Sequence, residues 1–214
     1  MSRPTEPKPR GEQRRGEELR RHILFVAKDV FLESGYERAS MDTVAARAGT
    51  SKRSLYAHFE SKDRLFLAVL DLVHELYLGR LGTPGDYSDD PAEAVVLFCG
   101  RFLQLMVWEP QVRTCRLSIA EAERLPENAR AYFDTIHGST RDLLTTYVTD
   151  HFGTAPQDAA ALADDLLGRC VLPRLFRTLL GVEAPLRGMP EPADLARDVD
   201  LDAVRGTVTA ALQD

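Results

Sequence analysis

The sequence predicts an all-α fold of 214 residues, a three-helix helix-turn-helix domain followed by a larger α-helical domain. Three observations carry this. Apolar residues recur at three- and four-residue spacing along most of the chain, the spacing that lines one face of an α-helix. Serine, aspartate, glycine and proline fall where those runs begin or stop. No segment shows the two-residue alternation of a half-buried strand.

In chain order, residues 1–14 carry Pro4, Pro7 and Pro9 among charges and almost no apolar side chain, which predicts a disordered basic arm. From about Arg15 to Ser34, Leu19, Ile23, Val26, Val30 and Phe31 keep helical spacing, and Gly35 stops the helix. Ser40 caps the next helix at about Met41, with Asp42 at its positive end. Val44, Ala45 and Ala48 give it a narrow apolar face, and Gly49 ends it. Ser51 caps a third helix whose Leu55 and Phe59 point inward, leaving Lys52, Arg53, Ser54, Tyr56 and His58 outward. Ser61 caps a fourth, whose stripe Leu65, Val69, Leu72, Val73 and Leu76 runs to about Leu81. These assignments make residues 15–65 the helix-turn-helix domain and 66–214 the second domain, with a loop over 82–90 that ends at Asp90-Pro91. Further helices are expected at 91–108, 111–123, 126–151, 156–180 and 194–212, the fourth of them kinked at Pro173.

The second and third helices, short and joined by a tight turn, present a basic, donor-rich face. Such a helix suits the DNA major groove, which admits an α-helix and offers acceptors on guanine. The spacing alone also fits an αα-corner with a solvated basic face. Lys52 and Arg53 stand where base edges would be met, Arg53 with the fork that pairs with guanine, and Thr43 and Tyr56 within reach of bases or phosphates.

Phe31, Gly35, Tyr36, Val44, Ala48, Gly49, Ser51, Leu55, Tyr56, His58, Phe59 and Lys62 fall at the positions of a known pattern. Residues 20–70 closely resemble the DNA-binding domain of the tetracycline-repressor (TetR) family. Ala45, Thr50, Arg53 and Ser54 depart from the family's usual Ile, Val, Gly and Thr, which bears on sequence preference rather than fold. The resemblance implies phosphate contacts at Ser40, Ser51, Ser54, His58 and Lys62. It also implies a homodimer paired through the segments 156–180 and 194–212, and a repressor released from a palindromic operator by a small molecule. The stretch Cys115-Arg-Leu-Ser-Ile-Ala-Glu-Ala-Glu-Arg-Leu-Pro-Glu is similar to the AefR-like branch.

Charge agrees with a double-stranded DNA partner once the chain is divided. Residues 1–65 carry 14 Lys and Arg against 10 Asp and Glu, or +4, while residues 66–214 carry 13 against 23, or −10. Attraction to phosphate therefore lies at one end. Cys99, Cys115 and Cys170 are odd in number and unpaired in spacing, as in a reducing cytoplasm. The apolar run Leu65–Leu70 is too short to span a bilayer, and the charged N-terminus is no signal peptide, so no membrane partner is expected. No cofactor or metal is implied, because His58 has no neighbouring ligand and no catalytic motif occurs; His74-Glu75 lacks a second histidine.

In the second domain Phe102, Met106, Trp108 and Phe133 could line an apolar cavity, with Arg101, Arg116 and His137 as polar anchors. Core packing would use the same side chains. An effector-independent architectural DNA-binding protein, or an all-α enzyme, are the competing readings, and an apolar cavity separates the first of these from a ligand-responsive regulator.

Overall fold

The computed structural model describes residues 10–213, which form helices and connecting loops with no strand among the described residues beyond an isolated bridge between Trp108 and Leu186. The helices are α1 (Arg10–Arg38), α2 (Met41–Arg47), α3 (Lys52–His58), α4 (Lys62–Leu81), α5 (Pro91–Met106), α6 (Glu109–Ala120), α7 (Pro126–Phe133), α8 (Ser139–Phe152), α9 (Pro156–Leu179), α10 (Leu195–Asp198) and α11 (Leu201–Ala211). Helix α1 begins ahead of the expected Arg15, so the arm 1–14 is helical from Arg10, and its first nine positions lie outside the described residues. The chain divides into two compact units within α4, between Leu72 and Val73.

The first unit is held by an aromatic cluster. Phe31 and Tyr36 stack with centroids 5.8 Å apart, and the Phe66 ring meets each edge-on at 5.0 and 5.2 Å. Edge-to-face pairs of this kind add to the burial of their large apolar area. Gly35 takes φ 76, so α1 makes its last turn on the far side of a left-handed residue that any side chain would strain. Leu55, Phe59 and Leu65 close the core.

In the second unit α5 is buried on nearly every side, as befits a helix that is apolar all round. It packs against α9 and α11, and Gly100 permits the approach of α11, since a Cβ there would stand 2.7 Å from Leu201 Cδ2. Two expected helices are divided. The span 126–151 is interrupted by a π-helical turn over Asp134–Gly138 between α7 and α8. The span 194–212 breaks at Val199 and restarts at α11, where the Asp200 side chain accepts from the Ala203 N–H. Helix α9 is a single element through Pro173. Backbone bonds from Glu109 N–H to the Leu186 carbonyl and from Leu186 N–H to the Val107 carbonyl strap the 180s loop to the start of α6.

Candidate functional site

The turn between α2 and α3 is built from local chemistry. Gly49, at φ 63, lets its own N–H donate to the Ala46 carbonyl and the Thr50 N–H reach back to Ala45, a paired closure that satisfies two end carbonyls of α2. Ser40 accepts from the Thr43 N–H at 3.1 Å, and Ser51 accepts from the Ser54 N–H at 3.1 Å. Both serines therefore orient helix starts, and the Ser51 hydroxyl keeps its proton for an outside acceptor. The Ser40 and Thr43 hydroxyls also lie 2.8 Å apart.

Leu55 and Phe59 are buried, which fixes α3 with Lys52, Arg53 and Tyr56 exposed and Ser54 and His58 half-buried. The cations of α3 differ. Lys52 pairs with Asp42 at 2.5 Å, an exposed ion pair that contributes little and can exchange for phosphate. Arg53 has no hydrogen-bond or ion-pair partner among the described residues, so its fork is free. Arg47, behind the turn, is paired bidentately with Glu33 and ties α2 to α1.

Lys62 is engaged within the first unit. Its ammonium donates to the carbonyls of Tyr36, Glu37 and Ala39 at 3.0, 3.3 and 3.1 Å, and sits 4.2 Å from the Tyr36 ring centroid. An ammonium has three protons, and all three are committed to the last turn of α1. These bonds brace the carbonyl end of α1, and Tyr36 donates its hydroxyl to Asp63 beside it.

In the second unit, α5, α6, α7, the π-helical turn and α9 line a partly open cavity of about 390 Å³, at whose rim Ile119, Phe133 and Leu172 are exposed. Phe102, Met106, Phe133 and His137 line it, as the sequence suggests, and they are joined by Cys115 and Ser118 of α6 and by a wall of leucines and valine on α9. Sequence spacing does not single out the α9 wall, because the same leucine pattern serves a core or an interface equally well. The π-helical turn shifts the helical register by one residue and carries Ile136 and His137 into the wall. Phe133 and His137 stack at 4.9 Å with planes 13° apart.

Three expected ligand contacts lie elsewhere. Arg101 is 2% exposed, and its guanidinium donates to the carbonyls of Arg80 and Pro190 and to the Gln104 side chain. Gln104 in turn donates to the Glu191 carbonyl and to Asp198. Together they fasten the end of α4 and the 190s loop to α5, and burial lowers the Arg101 pKa from its usual value. Arg116 donates to the Thr178 and Leu179 carbonyls, closing the end of α9 as a cation suits a helix C-terminus. Trp108 bridges to Leu186 and lies under the Arg80 guanidinium, 5.8 Å from its ring centroid.

His137 is held below the usual histidine range, first by burial and further by Arg141, with Asp164 acting the other way. The folded-state pKa is therefore depressed relative to the unfolded chain, which binds the proton first as pH falls. The associated stability is present above about 6.5 and is lost as pH falls toward the folded-state value. Thermal unfolding followed by circular dichroism should show a lower melting temperature at pH 5.5 than at 7.5, and His137→Phe should make that fall smaller. An identical fall in the variant would remove His137 from the account.

The first unit matches the model of the bacterial regulatory proteins of the tetR family over residues 23–69, and the second matches the C-terminal domain of AefR-like transcriptional repressors over residues 93–198. The chain belongs to the TetR family of transcriptional regulators. It is 49% identical over 70 residues to the HTH-type transcriptional activator FasR of Mycolicibacterium smegmatis, covering 30% of this chain and 32% of FasR. The chain thus spans about a third of that relative's length. It is 27% identical over 155 residues to the nucleoid occlusion factor SlmA of Vibrio atlanticus, covering 70% of this chain and 79% of that one. Among solved structures, the flavonoid-responsive regulator FrrA superposes with a TM-score of 0.70 at 23% identity, covering 92% of this chain and 94% of FrrA. A candidate TetR-family regulator from Mesorhizobium loti superposes at 0.74 and 21% identity, covering 93% and 97%. At these identities the superpositions speak for the fold. Among the described residues no helix of this TetR-family chain is long and apolar enough to cross a membrane.

Proposed function

We propose that this TetR-family regulator is a cytoplasmic homodimeric repressor that reads a palindromic operator through α3 and is released by a small apolar or aromatic ligand. The observation that carries the reading is the free Arg53 on an α3 whose apolar side is anchored by Leu55 and Phe59. A short recognition helix meets few base pairs, so two copies on half-sites about 34 Å apart are needed for specificity. Helix α9 supports pairing: Leu172, Phe176 and Leu180, at four-residue spacing, are 57, 60 and 64% exposed, an apolar stripe that a second copy would cover. The repressor sign rests on the AefR-like match of the second unit, whereas the likeness to the activator FasR covers 30% of this chain. The cavity favours a ligand-responsive protein over an effector-independent architectural one.

Ligand uptake would act by favouring a body shape whose two reading heads no longer fit adjacent grooves. The test is fluorescence anisotropy on duplexes tiled upstream of the gene, at about 50 and 200 mM salt. One duplex should keep nanomolar binding at the higher salt and bind two chains. Arg53→Ala should lower affinity for it by about 10- to 100-fold and level the preference at one base position, since a bidentate guanine contact contributes roughly 1–3 kcal/mol of discrimination. Uniform loss across all duplex variants would show that Arg53 meets phosphate instead.

A further inference from the structure

The cavity between α5, α6, α7 and α9 has polar features that narrow what it can hold, and the inference here rests on the ligand-responsive reading above. No Asp, Glu, Lys or Arg is among the described residues that line it. At about 390 Å³ it lies toward the small end of small-molecule sites, roughly 300–1,000 Å³. Of its polar side chains, Tyr132 and Cys115 are already engaged, while His137 is stacked on Phe133. The Tyr132 hydroxyl receives a hydrogen bond from Gln111 at 2.9 Å and faces the Cys115 thiol, whose pKa burial pushes up, so the sulfur stays protonated. Thr114, one turn before Ser118, gives its hydroxyl to the Pro110 carbonyl. Ser118 does not follow it. Its side-chain oxygen is buried without a partner, although the residue is 5% exposed and lines the cavity. An unpaired buried hydroxyl is costly and rare, and here it stands at the wall of an otherwise apolar space.

We propose that this cavity takes an uncharged, flat aromatic molecule carrying a single hydrogen-bonding group, which pairs with the Ser118 hydroxyl while its ring lies among Phe133, His137 and the Met106 sulfur. Each part has its reason. The stacked Phe133 and His137 offer a planar wall, and thioether sulfur packs well against ring edges. The hydroxyl can donate or accept, so a phenol, an aryl amine or an aryl ketone satisfies it. A carboxylate or an ammonium would leave water for a wall with no opposite charge, and Arg101 and Arg116, the cations that could have met an anion, are bound to backbone carbonyls elsewhere.

The experiment uses the full chain and N-phenyl-1-naphthylamine, a neutral aromatic amine whose fluorescence rises in apolar surroundings. Its displacement at pH 7.5 is compared for four molecules of one shape: 1-naphthol, 1-methylnaphthalene, 1-naphthoate and 1-naphthylmethylammonium. The expected order puts 1-naphthol first, about tenfold tighter than 1-methylnaphthalene, in line with one net hydrogen bond, with both ions weaker than the hydrocarbon. Ser118→Ala should bring 1-naphthol to within about twofold of 1-methylnaphthalene and leave the hydrocarbon unchanged, which also reports that the variant is folded. If either ion displaced the probe as well as 1-naphthol does, the ligand class is wrong although the cavity binds. A full naphthol advantage in Ser118→Ala removes Ser118 as the anchor; a variant that lost all probe binding would be replaced by Ser118→Thr, which must keep the naphthol advantage. Absence of saturable probe binding by the natural chain would overturn the ligand-responsive reading itself.

Discussion

Replacing Arg101 by leucine should lower the stability of the second unit by about 3–5 kcal/mol and its melting temperature by roughly 6–15 °C. The guanidinium is buried in α5, and its loss leaves the carbonyls of Arg80 and Pro190 and the Gln104 side-chain oxygen without their donor. A leucine of smaller reach neither fills the same volume nor returns those bonds. Lysine should not rescue, because a single ammonium on a flexible stem cannot serve acceptors held on both sides of a planar fork. The measurement is calorimetric unfolding of the full chain, with the change expected in the transition of the second unit. Were Arg101 a ligand anchor, its removal would weaken ligand binding and leave the melting temperature near its starting point or above it. Equal melting of Arg101→Leu and the natural chain would therefore defeat the fastening role.

The second large effect is at Lys62, where Lys62→Met should destabilise the first unit by about 2 kcal/mol. Three charge-assisted bonds to the last turn of α1 disappear, together with the ammonium over the Tyr36 ring. Operator affinity should fall because fewer reading heads are folded, and it should recover as temperature is lowered. The slope of log affinity against log salt should stay that of the natural chain. If Lys62 instead neutralised a DNA phosphate, its removal would reduce the slope by about 0.9 for each phosphate released. A reduced slope with unchanged melting would restore Lys62 to the DNA interface and remove it from the brace.

The reading head is the most legible part of the sequence, and the reason is that its signals are local. Ser40 and Ser51 cap the helices they precede, Gly49 closes α2, and Leu55 and Phe59 fall one turn apart on the buried side. Each acts within five residues, so spacing is enough to find it. The body is legible in outline only. The π-helical turn over Asp134–Gly138 adds a residue to one turn of an otherwise helical pattern, and the single glycine in it, Gly138, is one a helix tolerates, so the apolar spacing reads as continuous. The division between α10 and α11 does have a signal, the Asp200 cap, but it lies inside a run whose apolar spacing reads as continuous.

Site residues divide along the same line. Phe102, Met106, Phe133 and His137 meet at the cavity because their apolar faces point inward on any helical body of this kind. Arg101, Arg116 and Lys62 look available in the sequence because a cation there carries no record of its acceptor. Their partners lie far along the chain: Pro190 is 89 residues from Arg101, Leu179 is 63 from Arg116, and Tyr36 is 26 from Lys62. Ser118 gives no sequence signal for the converse reason, since a serine inside a helix normally finds a local carbonyl and here does not. Neighbours along the chain are enough to dictate where most helices start and stop, which face of each is apolar, and the family to which the turn chemistry belongs. Which polar groups are already satisfied and which remain free is set only on folding, because a hydrogen bond depends on proximity in space and the folded chain alone brings its two ends together.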